Sequence, residues 1–264
     1  MTLGTIAGTD IRVSRIALGT ASLHRLFAAR DRDRVLHTAL EHGVTHFDTA
    51  PYYGFGLAEE DLGRMLQGQR DRITISTKFG LYPPGGGSRS GLSLWSRMAL
   101  GRLHRPLLRP VVNWELSRAK ASLRLSLKRL RTGHVDFLFA HEPLLALLDS
   151  EEILRWLEDE QKRGSIRAWG VAGIGSSIEP FVRARHQLAM VVQTKDSVVG
   201  READVVTASG RVLQFTYGYL SSLGGAMTAE AAVAGALERN SSGAIIVSTT
   251  RPMRIPPLVQ SLQR

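Results

Sequence analysis

The 264-residue sequence contains no cysteine. Disulfides, thiolate catalysis and cysteine-ligated zinc are thereby excluded, and the composition accords with a reducing compartment. Nor does any apolar run approach the ~18 uninterrupted residues of a membrane span. The first residues, MTLGTIAGTD, lack the basic-then-apolar order of a secretory leader. Together these absences read as a cytoplasmic protein without a transmembrane segment. No complete Gly-x-Gly-x-x-Gly follows an apolar run, since Gly173-Ile174-Gly175 is only a fragment, so a doubly wound dinucleotide fold loses its main support. Acidic residues are nearly absent from one stretch: between Arg89 and Arg131 only Glu115 opposes eleven arginines and lysines, and this stretch alone carries the chain's formal net charge of +10. A solvated helix face plus a loop is the plain account of such a run.

What is present is globular: 43% hydrophobic and 22% charged residues supply a core without calling for disorder. Short β-rich runs at 15–20, 45–49, 73–78, 134–140, 166–171, 190–195, 212–217 and 244–249 alternate with helical patterns beginning near Arg32, Ala58, Asn113, Ser150, Ser176, Arg201, Thr228 and Pro256. Eight such pairs predict an α/β protein, a (β/α)8 barrel. Residues 3–13, centred on Ala7-Gly8-Thr9-Asp10, predict an N-terminal β-hairpin that plugs the barrel floor. With no linker in evidence, residues 1–264 read as one domain carrying a long loop, 81–112, after the third strand.

Barrel enzymes do chemistry where strands run into their following loops. Asp48 closes the second strand and Lys78 the third, while Tyr53 and His141 follow the second and fourth. A lysine ending an apolar strand needs a counter-ion, and Asp48 on the adjacent strand is the natural one. A purely structural ion pair is the alternative. Tyr53, five residues after Asp48, favours chemistry: an ammonium beside a phenol is expected to draw its pKa down toward a general acid's range. Such an acid would protonate the alkoxide left by hydride addition to a carbonyl, while His141 would hydrogen-bond the carbonyl oxygen.

The segments His46-Phe47-Asp48-Thr49-Ala50-Pro51-Tyr52-Tyr53-Gly54, continuing through Glu59 to Leu62-Gly63, Ile75-Ser76-Thr77-Lys78-Phe79-Gly80, and Val135-Asp136-Phe137-Leu138-Phe139-Ala140-His141 resemble the aldo-keto reductase family. Its catalytic tetrad would be Asp48, Tyr53, Lys78 and His141. The resemblance runs from the hairpin to the final helix and implies NADPH as cofactor, with NADH open. It places Gln193 on the nicotinamide carboxamide, Tyr217 against the ring, and Ser248, Thr249, Thr250, Arg251 and Arg254 around the adenosine phosphate, where a helix start flanked by guanidinium suits a dianion. No residue is assigned to a metal. The implied partner is a small carbonyl compound, sugar-like or anionic, and no nucleic acid is expected.

Three features depart from the family pattern. Ala172-Gly173 stand where Ser-Asn usually hold the carboxamide, Ser248 stands where many members have lysine, and the loop after the seventh strand and the tail to Arg264 are short. The substrate pocket is therefore expected to be open or roofed by the long loop. Leu92, Leu94, Trp95, Met98, Leu100, Leu103, Leu107 and Leu108 interleave there with Arg97, Arg102, Arg105 and Arg109, so segment 89–109 is expected to contact an anionic substrate or an acidic surface. Two other readings compete: a non-catalytic cofactor-binding barrel that engages an acidic partner or membrane, and a Schiff-base aldolase using Lys78.

Overall fold

The computed structural model describes residues 3–84, 109–223 and 227–263. Two strands, β1 (Leu3–Thr5) and β2 (Arg12–Ser14), form the expected antiparallel hairpin. Eight parallel strands close a barrel: β3 (Ile16–Gly19), β4 (His46–Asp48), β5 (Thr74–Phe79), β8 (Val135–His141), β9 (Ile166–Gly173), β10 (Val191–Lys195), β11 (Phe215–Tyr217) and β12 (Ala244–Val247). They neighbour one another in chain order, and β12 pairs with β3 through Ile246↔Ala17 to complete the ring. Covering helices alternate with them: α1 (Ala29–Glu41), α2 (Leu57–Met65), α3 (Leu116–Leu130), α4 (Ser150–Lys162), α5 (Gly175–Arg183), α6 (Asp204–Thr207), α7 (Ala229–Arg239) and α8 (Ile255–Gln260). Among the described residues no helix is long and apolar enough to cross a membrane.

Every strand expected from the sequence is in place, and the helix starts differ by local chemistry. Asp149, not Ser150, caps α4, its carboxylate accepting from Glu152 N–H at 3.1 Å. Helix α1 begins three residues before Arg32, which lies inside it with its guanidinium on Asp61 and on the carbonyl oxygens of Leu26 and Phe27. The long insertion begins and ends as a small antiparallel ladder, β6 (Leu81–Tyr82) with β7 (Val111–Val112). That ladder delays α3 to Leu116. The expected roof residues Leu92, Leu94, Trp95, Met98, Leu100, Leu103, Leu107, Leu108, Arg97, Arg102 and Arg105 lie outside the described residues.

The barrel interior fills from the end where the strands begin. Ile6, Ile11 and Val13 of the hairpin are buried against Ala17, Phe137 and Phe215, sealing that end with apolar side chains. Above them His46 stacks on Phe215 at 5.0 Å between ring centroids and meets Phe137 edge-on at 5.8 Å. Its Nδ1 hydrogen-bonds Thr74 Oγ1 at 2.9 Å. Outside the strands, α2 and α3 touch at Gly63, where an added Cβ would lie 2.1 Å from the Arg129 carbonyl oxygen. Only glycine permits that approach.

Burial holds the His46 imidazole down to about 4 from an ordinary 6.5, against the opposite pull of Asp48 and Asp136 and with a small addition from Lys78. Because the folded value lies below the unfolded one, the unfolded chain takes up the proton first as pH falls. The associated stability is complete above about pH 6.5 and is lost as pH drops toward about 4. The loss at pH 4.5 relative to neutral pH is about 2–3 kcal/mol. Urea unfolding at pH 7 and 4.5 is expected to show a smaller acid loss in His46→Leu than in wild type. Equal losses would place the acid sensitivity elsewhere.

Candidate active site

Alternation along β4 points His46 and Asp48 into the barrel, and along β5 it points Ser76 and Lys78 inward beside them, with Asp48 in register with Ser76. The Lys78 ammonium is buried and donates to Asp48 Oδ1 at 2.7 Å, Asp48 Oδ2 at 2.8 Å and the Thr49 carbonyl oxygen at 2.9 Å. Among the described residues its hydrogen bonds go to Asp48 and Thr49 alone. Ser76 Oγ at 2.7 Å and Gln193 Nε2 at 3.0 Å also donate to Asp48 Oδ1. Burial pulls the Lys78 ammonium below its ordinary range, and Asp48 opposes this.

Tyr53 opens a tight turn (Tyr53–Gly56) after β4, anchored by its N–H on the Ala50 carbonyl oxygen at 3.0 Å. Gly54, Phe55 and Gly56 then run successively through positive φ, at 56°, 57° and 98°. This reversal swings the Tyr53 ring over the cavity, its centroid 4.9 Å from Lys78 Nζ and 6.0 Å, edge-on, from the His141 ring. The expected lowering of the phenol is not found. Burial first, then the charges of Asp48 and Glu142, push Tyr53 well above its ordinary value. The physical reason is that Asp48, 2.7 Å from the ammonium, offsets the charge that Tyr53 would otherwise feel. Tyr53 is therefore a neutral phenol. His141 is held down to about 3 by burial and by Lys78, so its imidazole is neutral as well, and its Nδ1 has no hydrogen-bond partner among the described residues.

A cavity of about 220 Å³ brings together Asp48, Tyr53, Lys78, His141, Gln193, Tyr217 and Ser248. A larger cleft of about 640 Å³ shares Ala21 and Ser248 with it and adds Thr249 and Arg254. Thr250 and Arg251 line neither; the Arg251 N–H instead bonds Thr249 Oγ1 at 3.1 Å to shape the turn. Sequence reasoning missed Ser76 and Glu142 at the catalytic end and Arg25 and Glu230 in the larger cleft. Glu142, Arg25 and Glu230 are signalled only by position just after a strand or at the start of a helix, and Ser76 by lying two residues before Lys78 on the same strand face. The residues present suit a nicotinamide dinucleotide: Gln193 is buried with its Oε1 unpartnered, which suits an amide N–H, and Gly19 leaves space that a Cβ, 2.6 Å from Ser248 Oγ, would close.

Removing one partner of the buried pair should cost more than removing both, because an isolated carboxylate has no compensating charge. Lys78→Met is expected to lose about 3–5 kcal/mol in urea unfolding, and Asp48→Asn with Lys78→Met to recover most of that loss. Additive losses in the double variant would mean that the two charges do not depend on each other.

Comparison with known proteins bears on this arrangement. The family description "Aldo/keto reductase family" matches residues 15–193. Aldo-keto reductase YhdN of Bacillus subtilis is 32% identical over 176 residues, covering 64% of this chain and 46% of that protein. D-threo-aldose 1-dehydrogenase of a Pseudomonas species is 31% identical over 179 residues, covering 64% and 53%. The chain thus spans about half the length of the curated relatives it matches. Among solved structures, aldo-keto reductase AKR11C1 of Bacillus halodurans in its holo form superposes with a TM-score of 0.77 at 17% identity, over 100% of this chain and 91% of that one. At that identity the likeness speaks for the fold, whereas the family match extends from the first barrel strand through Gln193, and on it the chain belongs to the aldo/keto reductase family of oxidoreductases.

Proposed function

We propose that the protein is an NADPH-dependent carbonyl reductase that acts reversibly on an aldehyde or ketone, with Asp48, Tyr53, Lys78 and His141 as its catalytic group. The observation that carries this reading is the meeting of all four at one cavity, two of them as a buried ion pair. The nicotinamide supplies or accepts the hydride when bound. The side chains supply the rest. Tyr53, a neutral phenol, donates its proton to the oxygen of the reduced carbonyl, since an alkoxide is a stronger base than a phenolate. His141, also neutral, directs an N–H to the same oxygen, and neutrality spares the site a second buried cation. Lys78 sits against the Tyr53 ring and holds Asp48 in place beneath it, its hydrogen bonds going to Asp48 and Thr49. The naming of one relative as an aldose dehydrogenase supports hydroxylated, sugar-like carbonyls as the first substrates to assay.

Gln193 and Tyr217 are assigned to the nicotinamide end and Ser248, Thr249 and Arg254 to the adenosine phosphate, with Arg254 the guanidinium that lines the cleft at the start of α8. The Arg251 backbone bonds Thr249 Oγ1 and so shapes that turn, and Thr250 and Arg251 are carried with it as part of the same segment.

Two measurements test the reading. Tyr53→Phe is expected to lower kcat by at least about a hundredfold, the scale of general-acid catalysis, while leaving cofactor affinity within a few-fold. Activity within a few-fold of wild type would remove Tyr53 from the mechanism. Arg254→Ala is expected to weaken NADPH by about tenfold or more and NADH little, since only NADPH carries the 2′-phosphate. Equal losses in the two titrations would place the phosphate elsewhere.

A further inference from the structure

Glu142 directly follows His141 and adopts the left-handed conformation at φ 51°, a strained choice for a residue with a side chain. Its N–H continues the β8–β9 ladder to the Ala172 carbonyl oxygen at 2.7 Å, and its side chain turns across to Gly173. There the carboxylate accepts the Ile174 N–H at 3.1 Å and the Ser177 hydroxyl. The two positions depend on each other, since a Cβ on Gly173 would lie 2.6 Å from Glu142 Oε2. Gly173 lines the catalytic cavity together with Tyr217 and the buried Gln193, whose Oε1 is unpartnered.

The charges around this cavity do not cancel. Asp48 and Lys78 neutralise each other at 2.7 Å, and Lys195 pairs with Glu202 at 3.1 Å. Among the described residues Glu142 has only hydrogen-bond donors and no cation. The field of its carboxylate reaches the cavity, where it helps to push up the Tyr53 and Tyr217 phenols.

We propose that the Glu142 carboxylate is a fixed counter-charge to the nicotinamide ring, favouring the oxidised, cationic cofactor over the reduced, neutral one. This rests on the nicotinamide site assigned above. When a carbonyl is reduced, the ring would give up a hydride and become a cation, the carbonyl carbon would gain the hydride, and the carbonyl oxygen would take the Tyr53 proton, Tyr53 then regaining one from solvent so that the ring cation is the net charge left. With the ring in the cavity that Gly173 lines, that charge would lie within the field of Glu142, which would bias the bound cofactor toward hydride donation.

The ratio of dissociation constants for oxidised and reduced cofactor tests this, because a helix-capping role would affect both forms equally. NADP⁺ and NADPH, with NAD⁺ and NADH in parallel, are titrated against wild type, Glu142→Gln and Glu142→Asp by calorimetry. Glu142→Gln keeps an acceptor for Ile174 and removes the charge. It is expected to raise the oxidised-to-reduced ratio about tenfold, as a charge interaction at intermediate dielectric implies. Glu142→Asp should leave the ratio near wild type. Glu142→Gly, which suits the positive φ, is the second uncharged variant and should repeat the glutamine result even if Gln disturbs folding. A ratio unchanged in both uncharged variants overturns the proposal and leaves Glu142 a cap for α5. If wild type binds neither cofactor pair, the nicotinamide reading itself falls and takes this proposal with it.

Discussion

The buried ion pair of Lys78 and Asp48 constrains the whole upper half of the barrel. Two charges withdrawn from water cost several kcal/mol each unless their remaining hydrogen-bonding capacity is met, and here it is met from four directions. Thr49 and Asp48 receive the ammonium, while Ser76 and Gln193 donate to the carboxylate. Those partners come from β4, the loop after it, β5 and β10, so the pair joins strands from opposite sides of the ring. Any change in the register of these strands would strand a charge. The barrel geometry and the polar cluster therefore specify each other.

The candidate site is also a continuation of the core. Each inward row on β4, β5 and β8 begins with a packed or hydrogen-bonded residue and ends in a chemical one: His46 then Asp48, Ser76 then Lys78, Phe139 then His141. Hairpin residues Ile6, Ile11 and Val13 close the apolar end, so the rows rest on a solid floor and their upper members have little freedom. A second buried network supports the same strand from outside. Glu59 accepts Thr77 Oγ1 at 2.8 Å and the Arg129 guanidinium at 3.2 Å, joining α2, α3 and the residue before Lys78. That guanidinium also fills the space a side chain at Gly56 would need, which ties the loop bearing Tyr53 to the same network.

The ring of strands was legible because a parallel sheet covered on one face by helices and filled on the other leaves near-continuous apolar runs. Asp48, Lys78 and His141 were legible for the same reason, as polar residues terminating such runs. Tyr53 needed its spacing from Asp48. What could not be read depended on side chains meeting across the fold. Glu142 is an ordinary acid in the sequence, and its place follows only once β8 and β9 align His141 with Ala172 and so bring Gly173 within its reach. Arg25 enters the larger cleft because a single turn (Leu23–Arg25) follows β3. Thr250 and Arg251 were placed at the phosphate by the family resemblance of the whole segment; they line neither of the two cavities, and the Arg251 N–H bonds Thr249 Oγ1.

The direction of the Tyr53 shift had the same origin. Lysine, aspartate and tyrosine in sequence suggest a cation acting on a phenol, yet their effect depends on which two of the three lie closest. With Asp48 2.7 Å from the ammonium, the pair presents little net charge, and burial then governs the phenol. The same burial keeps His141 neutral. A cavity with a neutralised pair, a neutral phenol and a neutral imidazole holds its proton donors loaded across the physiological range. The charge beside it that is not neutralised among the described residues is the carboxylate of Glu142, held by the Ile174 N–H and the Ser177 hydroxyl.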